Sequence, residues 1–512
     1  MALRKFSILV ICSLALQAVV LAGGVDLDGT LRFSLGGEVS VLNPILSTDN
    51  VSSAVEGAIF TGLVAVNEKL EMIPDLAERW AVSPDGKTWT FHLRKNVKWH
   101  DGVPFTAEDV KFTFDSILNQ KVNSVRRSDF IIEGKPIEFK AVDKYTVQAI
   151  LPQPFAPFLI NAGIGIIPKH LLAGKDINKA DFNRKPVGTG PFIFKEWRSG
   201  DHVTVVRNPD YYLGKPKLAQ IIYKEIPDEN SRLVALEADE IDETDIPPKD
   251  YARMKTAKGV NVYEYDALLY TYLGFNLASP KFANPKVRQA LAYATDKKQL
   301  VDLIFKGLAS PAYAPSAPVS WAYSNKVPKY EFNIEKAKQL LKEAGQESLE
   351  FTILVNQGNK EREKAAVILQ QQYKKVGVKV NIRVLEWSAL LKIVNAPKDP
   401  KDFDAVIMGW SLGLDPDAYS IWHSSQYPKG FNFVKYNNPE VDKLLAEGRT
   451  TIKKSERRKI YRQLWNLIAA DQPYIFLWYP KTVSGIRDRV GGLSQPGPAG
   501  MFLHLGKVFI KK

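Results

Sequence analysis

The stretch Gly-Trp-Ser-Leu-Gly at residues 409–413 has the spacing of G-x-S-x-G, in which a strained strand-to-helix turn presents a serine hydroxyl for acyl transfer. That chemistry requires a helix directly after the serine. Here the chain continues Leu-Gly-Leu-Asp-Pro-Asp. Asp415 is a good N-cap, Pro416 suits the first helical position, and Asp417 complements the helix dipole. The helix is therefore expected to start at Pro416 rather than at Leu412, too late for a nucleophile elbow. A helix from Leu412 would carry Pro416 past its first turn. Partners for Ser411 are also poor. His423 falls on the following helix, His504 stands near the C-terminus without a motif, and no HGGG-like segment offers an oxyanion hole. A serine hydrolase with Ser411 as nucleophile is thus a remote alternative, and no catalytic residue is assigned.

Other chemistries fail more simply. Gly188-Thr189-Gly190 begins like a dinucleotide loop, but Ile193 stands where the third glycine belongs. No P-loop occurs. The six histidines are scattered, none in H-E-x-x-H, and single residues such as His100 and His170 read as turn or surface residues. Neither a metal site nor a cofactor is expected. Among 56 acidic residues, no pair stands out as a glycosidase dyad. Cys12 is the only cysteine and falls in the N-terminal apolar stretch, which excludes disulfides, thiolate metal sites and a cysteine nucleophile from the mature chain.

The elements that would position Ser411 change along the chain. The first third reads as strand-rich. After the turn Ser83-Pro84-Asp85-Gly86, Trp89, Phe91 and Leu93 alternate with polar residues, and Val97 and Trp99 do so again. Thr106 and Asp109 form an approximate capping box for a helix through Phe112 and Ile117. Residues 140–151 read as a hairpin around Asp143-Lys144. The last third alternates: a helix from Ile334 to near Gly345, a strand at 349–355, a helix from Lys360 to Lys375 closed by Gly377, and a strand with Val378, Val380, Ile382 and Val384 on one face. A short helix after Trp387, a strand at 402–410, a helix from Glu456 to Ala470 and a strand at 474–479 complete the series. This pattern predicts an open α/β sheet, whose ligands bind at the carboxyl ends of the strands, where residues 409–413 lie.

At 512 residues the chain is too long for one core, so two or three domains are expected. Residues 1–22 read as a signal peptide, with Arg4 and Lys5 before the apolar stretch Phe6–Leu21 and small residues after it; an uncleaved anchor is the alternative. Position 24 is Gly, so no lipobox cysteine follows. The mature protein is expected to be exported, soluble, and periplasmic or otherwise extracytoplasmic. The net charge of +13 is spread along the chain without a dense basic arm, which argues against nucleic acid as a partner.

Several stretches together resemble the family 5 extracellular solute-binding proteins of ABC importers, of the oligopeptide and dipeptide type. They are residues 76–118 (LAERWAVSPDGKTWTFHLRKNVKWHDGVPFTAEDVKFTFDSIL), 186–194 (PVGTGPFIF), 273–301 (LGFNLASPKFANPKVRQALAYATDKKQLV), 385–391, 409–422 and 436–451. The resemblance implies a bilobal periplasmic-binding-protein fold of type II with an extra domain. Residues 25–57, 188–270 and 480–512 would form lobe I, 58–187 an additional domain II, and 271–479 lobe III. It implies no catalysis. The protein would capture a peptide between the lobes as a monomer and present it to a membrane permease. An oligosaccharide, a nickel complex or haem are the alternative solutes. The resemblance implies ligand-binding roles for Asn43, Asn276, Trp387, Trp410, Ser411, Leu412 and Asp415. Peptide-binding relatives carry an Asp in the loop after Trp410 that holds the peptide ammonium; here Leu412 or Gly413 occupies that place. Asp415 is the nearest acid, so a free peptide N-terminus is not expected to carry binding unless Asp415 both caps the helix and anchors the ligand.

Overall fold

The computed structural model describes residues 24–512 apart from Leu27, Thr48, Val125 and Lys429; the expected signal segment, 1–22, lies outside the described residues. Among them, no helix is long and apolar enough to cross a membrane.

The molecule is built on a twelve-stranded mixed sheet in two halves. One half orders Phe192–Arg198, His202–Arg207, Gln220–Glu225, Thr30–Leu35 and Glu243–Asp245. The other orders Leu269–Phe275, Ala405–Ser411, Glu350–Asn356 and Lys379–Leu385. A single 14-residue strand, Tyr474–Arg487, joins them. Its first part pairs with Leu269–Phe275, and its second part pairs with Val260–Asp266 and Glu243–Asp245. The chain therefore crosses between the halves twice, near residues 266–269 and 479–481, on antiparallel neighbours. The sequence pattern predicts a strand ending at 479. The apolar alternation is lost at Pro480 and Lys481, but backbone pairing continues through both.

The α/β half follows the sequence pattern closely. Glu350–Asn356 leads into the helix Lys360–Lys374, which starts at the cap Asn359 and ends before Gly377 at φ +84°. The return strand Lys379–Leu385 pairs in parallel with the first. Val380 is buried, yet Val384 is exposed, on a strand that forms the sheet's edge. The helix near the C-terminus spans Lys454–Asp471 and buries Tyr461, Leu464, Trp465 and Ile468.

A separate four-stranded antiparallel sheet orders Ala77–Val82, Thr88–Leu93, Thr146–Ile150 and Glu138–Asp143. Trp89, Phe91 and Leu93 point inward as the alternation requires. The helix Ala107–Leu118 opens on the capping box of Thr106 and Asp109 and lays Phe114 flat on Phe139, centroids 4.0 Å apart. Val97 and Trp99 are buried but form no strand: the turn at 100–102 folds the chain back at once, and only Lys98 and Pro104 bridge. His100, read as a turn or surface residue, is instead a half-buried junction. Its Nδ1 accepts from the Gly188 N–H at 3.2 Å and its Nε2 lies 3.0 Å from the Gly190 carbonyl, so Nε2 carries the proton. Gly188 and Gly190 lie against the end of the helix Asn50–Ile59; a Cβ on Gly188 would sit 1.9 Å from the Ile59 oxygen. Packing explains these glycines without a phosphate.

Candidate functional site

Two concavities carry polar groups. The larger holds about 960 Å³. Its floor is one face of the sheet's first half, and strand register states which side chains share that face. Phe33 pairs with Tyr223 on one side and Glu243 on the other, and Glu243 pairs with Ile486. One row therefore reads Tyr223, Phe33, Glu243, Ile486. Two residues along, Asp245 lies opposite Ser484 on the same face. The helix Asn50–Ile59 contributes Ser53, Ala54 and Gly57 to the wall. The segment 499–507 forms part of the wall, with Phe502 edge-on to Phe33 at 5.3 Å. Burial pushes the Glu243 carboxyl well above the usual carboxylate range; Asp245 adds to this and Arg232 opposes it. Asp75, in the wall, is raised to about 6 by burial despite the hydroxyl that Tyr212 donates to it.

The smaller cavity, about 190 Å³, lies at the carboxyl end of Ala405–Ser411. Trp410, Ser411, Leu412, Gly413 and Asp415 all line it, with Phe431, Ser316 and Trp465. The sheet pattern places them: Ser411 is the last ladder residue, paired with Leu269, and the Leu412 N–H still donates to the Leu268 carbonyl at 2.7 Å. Trp410 is half-buried, its ring stacked on Phe433 at 5.5 Å and beside Phe431.

The loop corrects one expectation. No helix starts at Pro416; the next begins at Tyr419. Asp415 Oδ1 accepts from the Asp417 N–H and Asp417 Oδ1 from the Tyr419 N–H, so the two acids make successive Asx turns. Ionic anchors hold the turns: Arg457 grips both Asp415 oxygens at 2.6 Å, and Arg449 Nε binds Asp417 at 2.8 Å. The helix starts even later after Ser411 than the sequence suggests. His423 closes that helix with its Nδ1 at Ser425, and His504 lies in the wall of the other cavity.

The structure does not bring all the expected ligand residues together. Asn43 is fully buried, its Nδ2 donating to Asn183 Oδ1 and its Oδ1 accepting from the Ile45 N–H. Asn276, 2% exposed, donates to the Lys401 and Phe403 carbonyls and accepts from the Ala278 N–H. Both amides are buried and bonded within loops, so they help hold the fold together. Trp387 opens the helix Trp387–Val394, is 45% exposed, and lines neither cavity. Sequence reasoning missed Phe33, Tyr223, Glu243 and Asp245. The one signal was the run Glu240–Asp245, in which Glu243 and Asp245 stand two apart, as residues sharing one face of a strand do. Among the described residues, no group of three or more His, Cys, Asp or Glu is placed to hold a metal.

Comparison with known proteins places this geometry. The family model for bacterial extracellular solute-binding proteins, family 5, middle region, matches residues 71–433. The oligopeptide-binding protein AppA of Bacillus subtilis is 37% identical over 495 residues, covering 92% of this chain and 90% of AppA. The dipeptide-binding protein of Escherichia coli is 32% identical, covering 94% of each. Among solved structures, AppA from Bacillus subtilis in complex with a nonapeptide superposes with a TM-score of 0.85 at 35% identity, over 94% of this chain and 99% of that one. NikZ from Campylobacter jejuni in complex with Ni(L-His) matches as well in shape, with a TM-score of 0.85 at 30% identity, over 94% of this chain and 99% of that one.

Proposed function

The chain belongs to the family 5 bacterial extracellular solute-binding proteins, and from that premise we propose that it captures a peptide outside the cytoplasm and delivers it to the membrane permease of an ABC importer. The observation that carries this reading is the large aromatic- and carboxylate-lined concavity beside the two strand crossings, in a chain similar over nearly its whole length to peptide-binding proteins. Two crossings on adjacent antiparallel strands suit a hinge: a few backbone torsions there would let two lobes close on a solute. The lobes are 25–57, 188–270 and 480–512 for the first and 271–479 for the second, with 58–187 as an added domain, and the protein works as a monomer. Trp410, Ser411, Leu412 and Asp415 form the second lobe's side of the site.

The protein is not an enzyme. Ser411 ends a strand and is followed by an ion-paired loop instead of a helix, so it lacks the strand-to-helix turn that presents a serine nucleophile. A fluorophosphonate probe should leave it unlabelled; stoichiometric labelling lost in Ser411→Ala would overturn that statement. The transport reading is tested in cells. A strain lacking this protein should fail to grow when short peptides are the only source of a required amino acid, and plasmid-borne protein should restore growth. Unimpaired growth of the deletion strain on every peptide tried would count against it.

A further inference from the structure

The loop after Trp410 offers no free acid. Leu412 and Gly413 are apolar, and Asp415 and Asp417 are each held by an arginine. A ligand cation desolvated between the lobes still needs a partner, or its desolvation opposes binding. The larger cavity, lined by residues of the first lobe and of the added domain, contains one. Glu243 is only 7% exposed, yet its carboxylate accepts no hydrogen bond and pairs with no cation among the described residues; Ser34 Oγ donates to its backbone carbonyl. Strand register turns that carboxylate toward the concavity, in the row of Tyr223, Phe33 and Ile486. Asp245 stands beside it on the same face, open to the cavity. Left alone, burial favours the protonated form of Glu243; a cation seated beside it would favour the charged form and meet a counter-charge already in place.

The basic groups of the cavity answer that need only in part. Arg232 is near enough to favour the charged forms of Glu243 and Asp245, but its Nη1 is held by the Ile226 and Pro227 carbonyls at 2.8 and 2.9 Å and it makes no ion pair with either acid. Lys215 and Lys507 are exposed in the wall, and burial lowers the pKa of His504, which favours its neutral form. The aromatic rings of Phe33, Tyr223, Tyr265 and Phe502 also suit a cation or the apolar stem that carries one.

Resting on the peptide-binding reading, we propose that Glu243 and Asp245 hold a cationic group of the bound solute, an ammonium or guanidinium, and so select peptides by charge from the first lobe. The cation comes either from a peptide N-terminus or from a lysine or arginine side chain. Three synthetic pools of random hexapeptides separate these sources: one with free N-termini but no Lys, Arg or His; one N-acetylated and containing Lys and Arg; one N-acetylated without basic residues. Each is offered to the full chain, and retained peptides are quantified by mass spectrometry. The wild type should retain one cationic pool at least 10-fold over the neutral one, and which pool is favoured identifies the source. Glu243→Gln and Asp245→Asn, checked for an unchanged melting temperature, should each cut that preference at least 5-fold, with the cationic pool losing more than the neutral one. Equal retention of all three pools by the wild type, a preference that survives both substitutions, or equal losses for neutral and cationic peptides would overturn the proposal. Retention of no pool would instead remove the peptide reading and this inference with it.

Discussion

Trp410, at the end of its strand, and Asp415, five residues on in the loop that follows, have different duties. The Trp410 ring leans on Phe433 and faces the smaller cavity. Trp410→Ala should weaken peptide binding by about 1–3 kcal/mol, the range for an aromatic anchor desolvated by its partner; unchanged affinity by calorimetry in a folded variant would remove it from the site. Asp415 is a structural acid. Arg457, 5% exposed, grips both its oxygens. Asp415→Ala would leave that buried guanidinium short of its counter-charge and should lower unfolding stability by about 3 kcal/mol in a urea titration. Its discrimination between free and N-acetylated peptides should match wild type; a stable variant that loses such discrimination would make Asp415 the anchor. The position of Trp410 is legible in the sequence because strand, ring and loop are contiguous. Glu243 and Asp245 are not, because the residues that share their face, Phe33 and Ile486, lie some two hundred residues away on either side. The arginines that hold Asp415 and Asp417 are hidden for the same reason, and with them the reason the helix starts at Tyr419. Asn43 and Asn276 mislead because a loop asparagine offers the same donors and acceptors to the backbone as to a ligand.

At the scale of elements, the alternation is read correctly in the last third, as in Glu350–Asn356, the helix Lys360–Lys374 capped by Asn359, and Lys379–Leu385. It fails where tertiary contacts decide: at the continuation of the strand from 474 through Pro480 to Arg487, and at Val97–Trp99, where burial arises without a ladder. The junction of His100 with Gly188 and Gly190 gives a test. Burial lowers the His100 pKa to about 4, against an ordinary value of 6.5, with the Gly190 carbonyl and Asp101 opposing. The folded state thus binds fewer protons than the unfolded chain between those values. The stability this group protects is intact above pH 6.5 and is lost as pH falls toward 4. The shift is worth at most about 3 kcal/mol. His100→Gln should therefore show a shallower loss of stability between pH 6.5 and 4 than wild type; parallel acid limbs would contradict the buried neutral imidazole. Gly188→Ala, with its Cβ directed onto the Ile59 carbonyl, should lower the melting temperature by at least several degrees in a thermal scan.

For the whole molecule, the sequence blocks that carry the family resemblance are also those that fold into its joints: residues 76–118 form much of the antiparallel sheet and its helix, 186–194 the glycine junction, and 409–422 the loop at the smaller cavity. The fold is therefore legible in advance. The solute is not, because relatives of similar shape include a nonapeptide complex and a Ni(L-His) complex. Native mass spectrometry of the protein purified from its own extracytoplasmic compartment, followed by denaturation and identification of whatever is released, tests the central claim most directly. A 1:1 complex releasing peptides is the predicted result; a glycan, a nickel complex or haem in their place would contradict it.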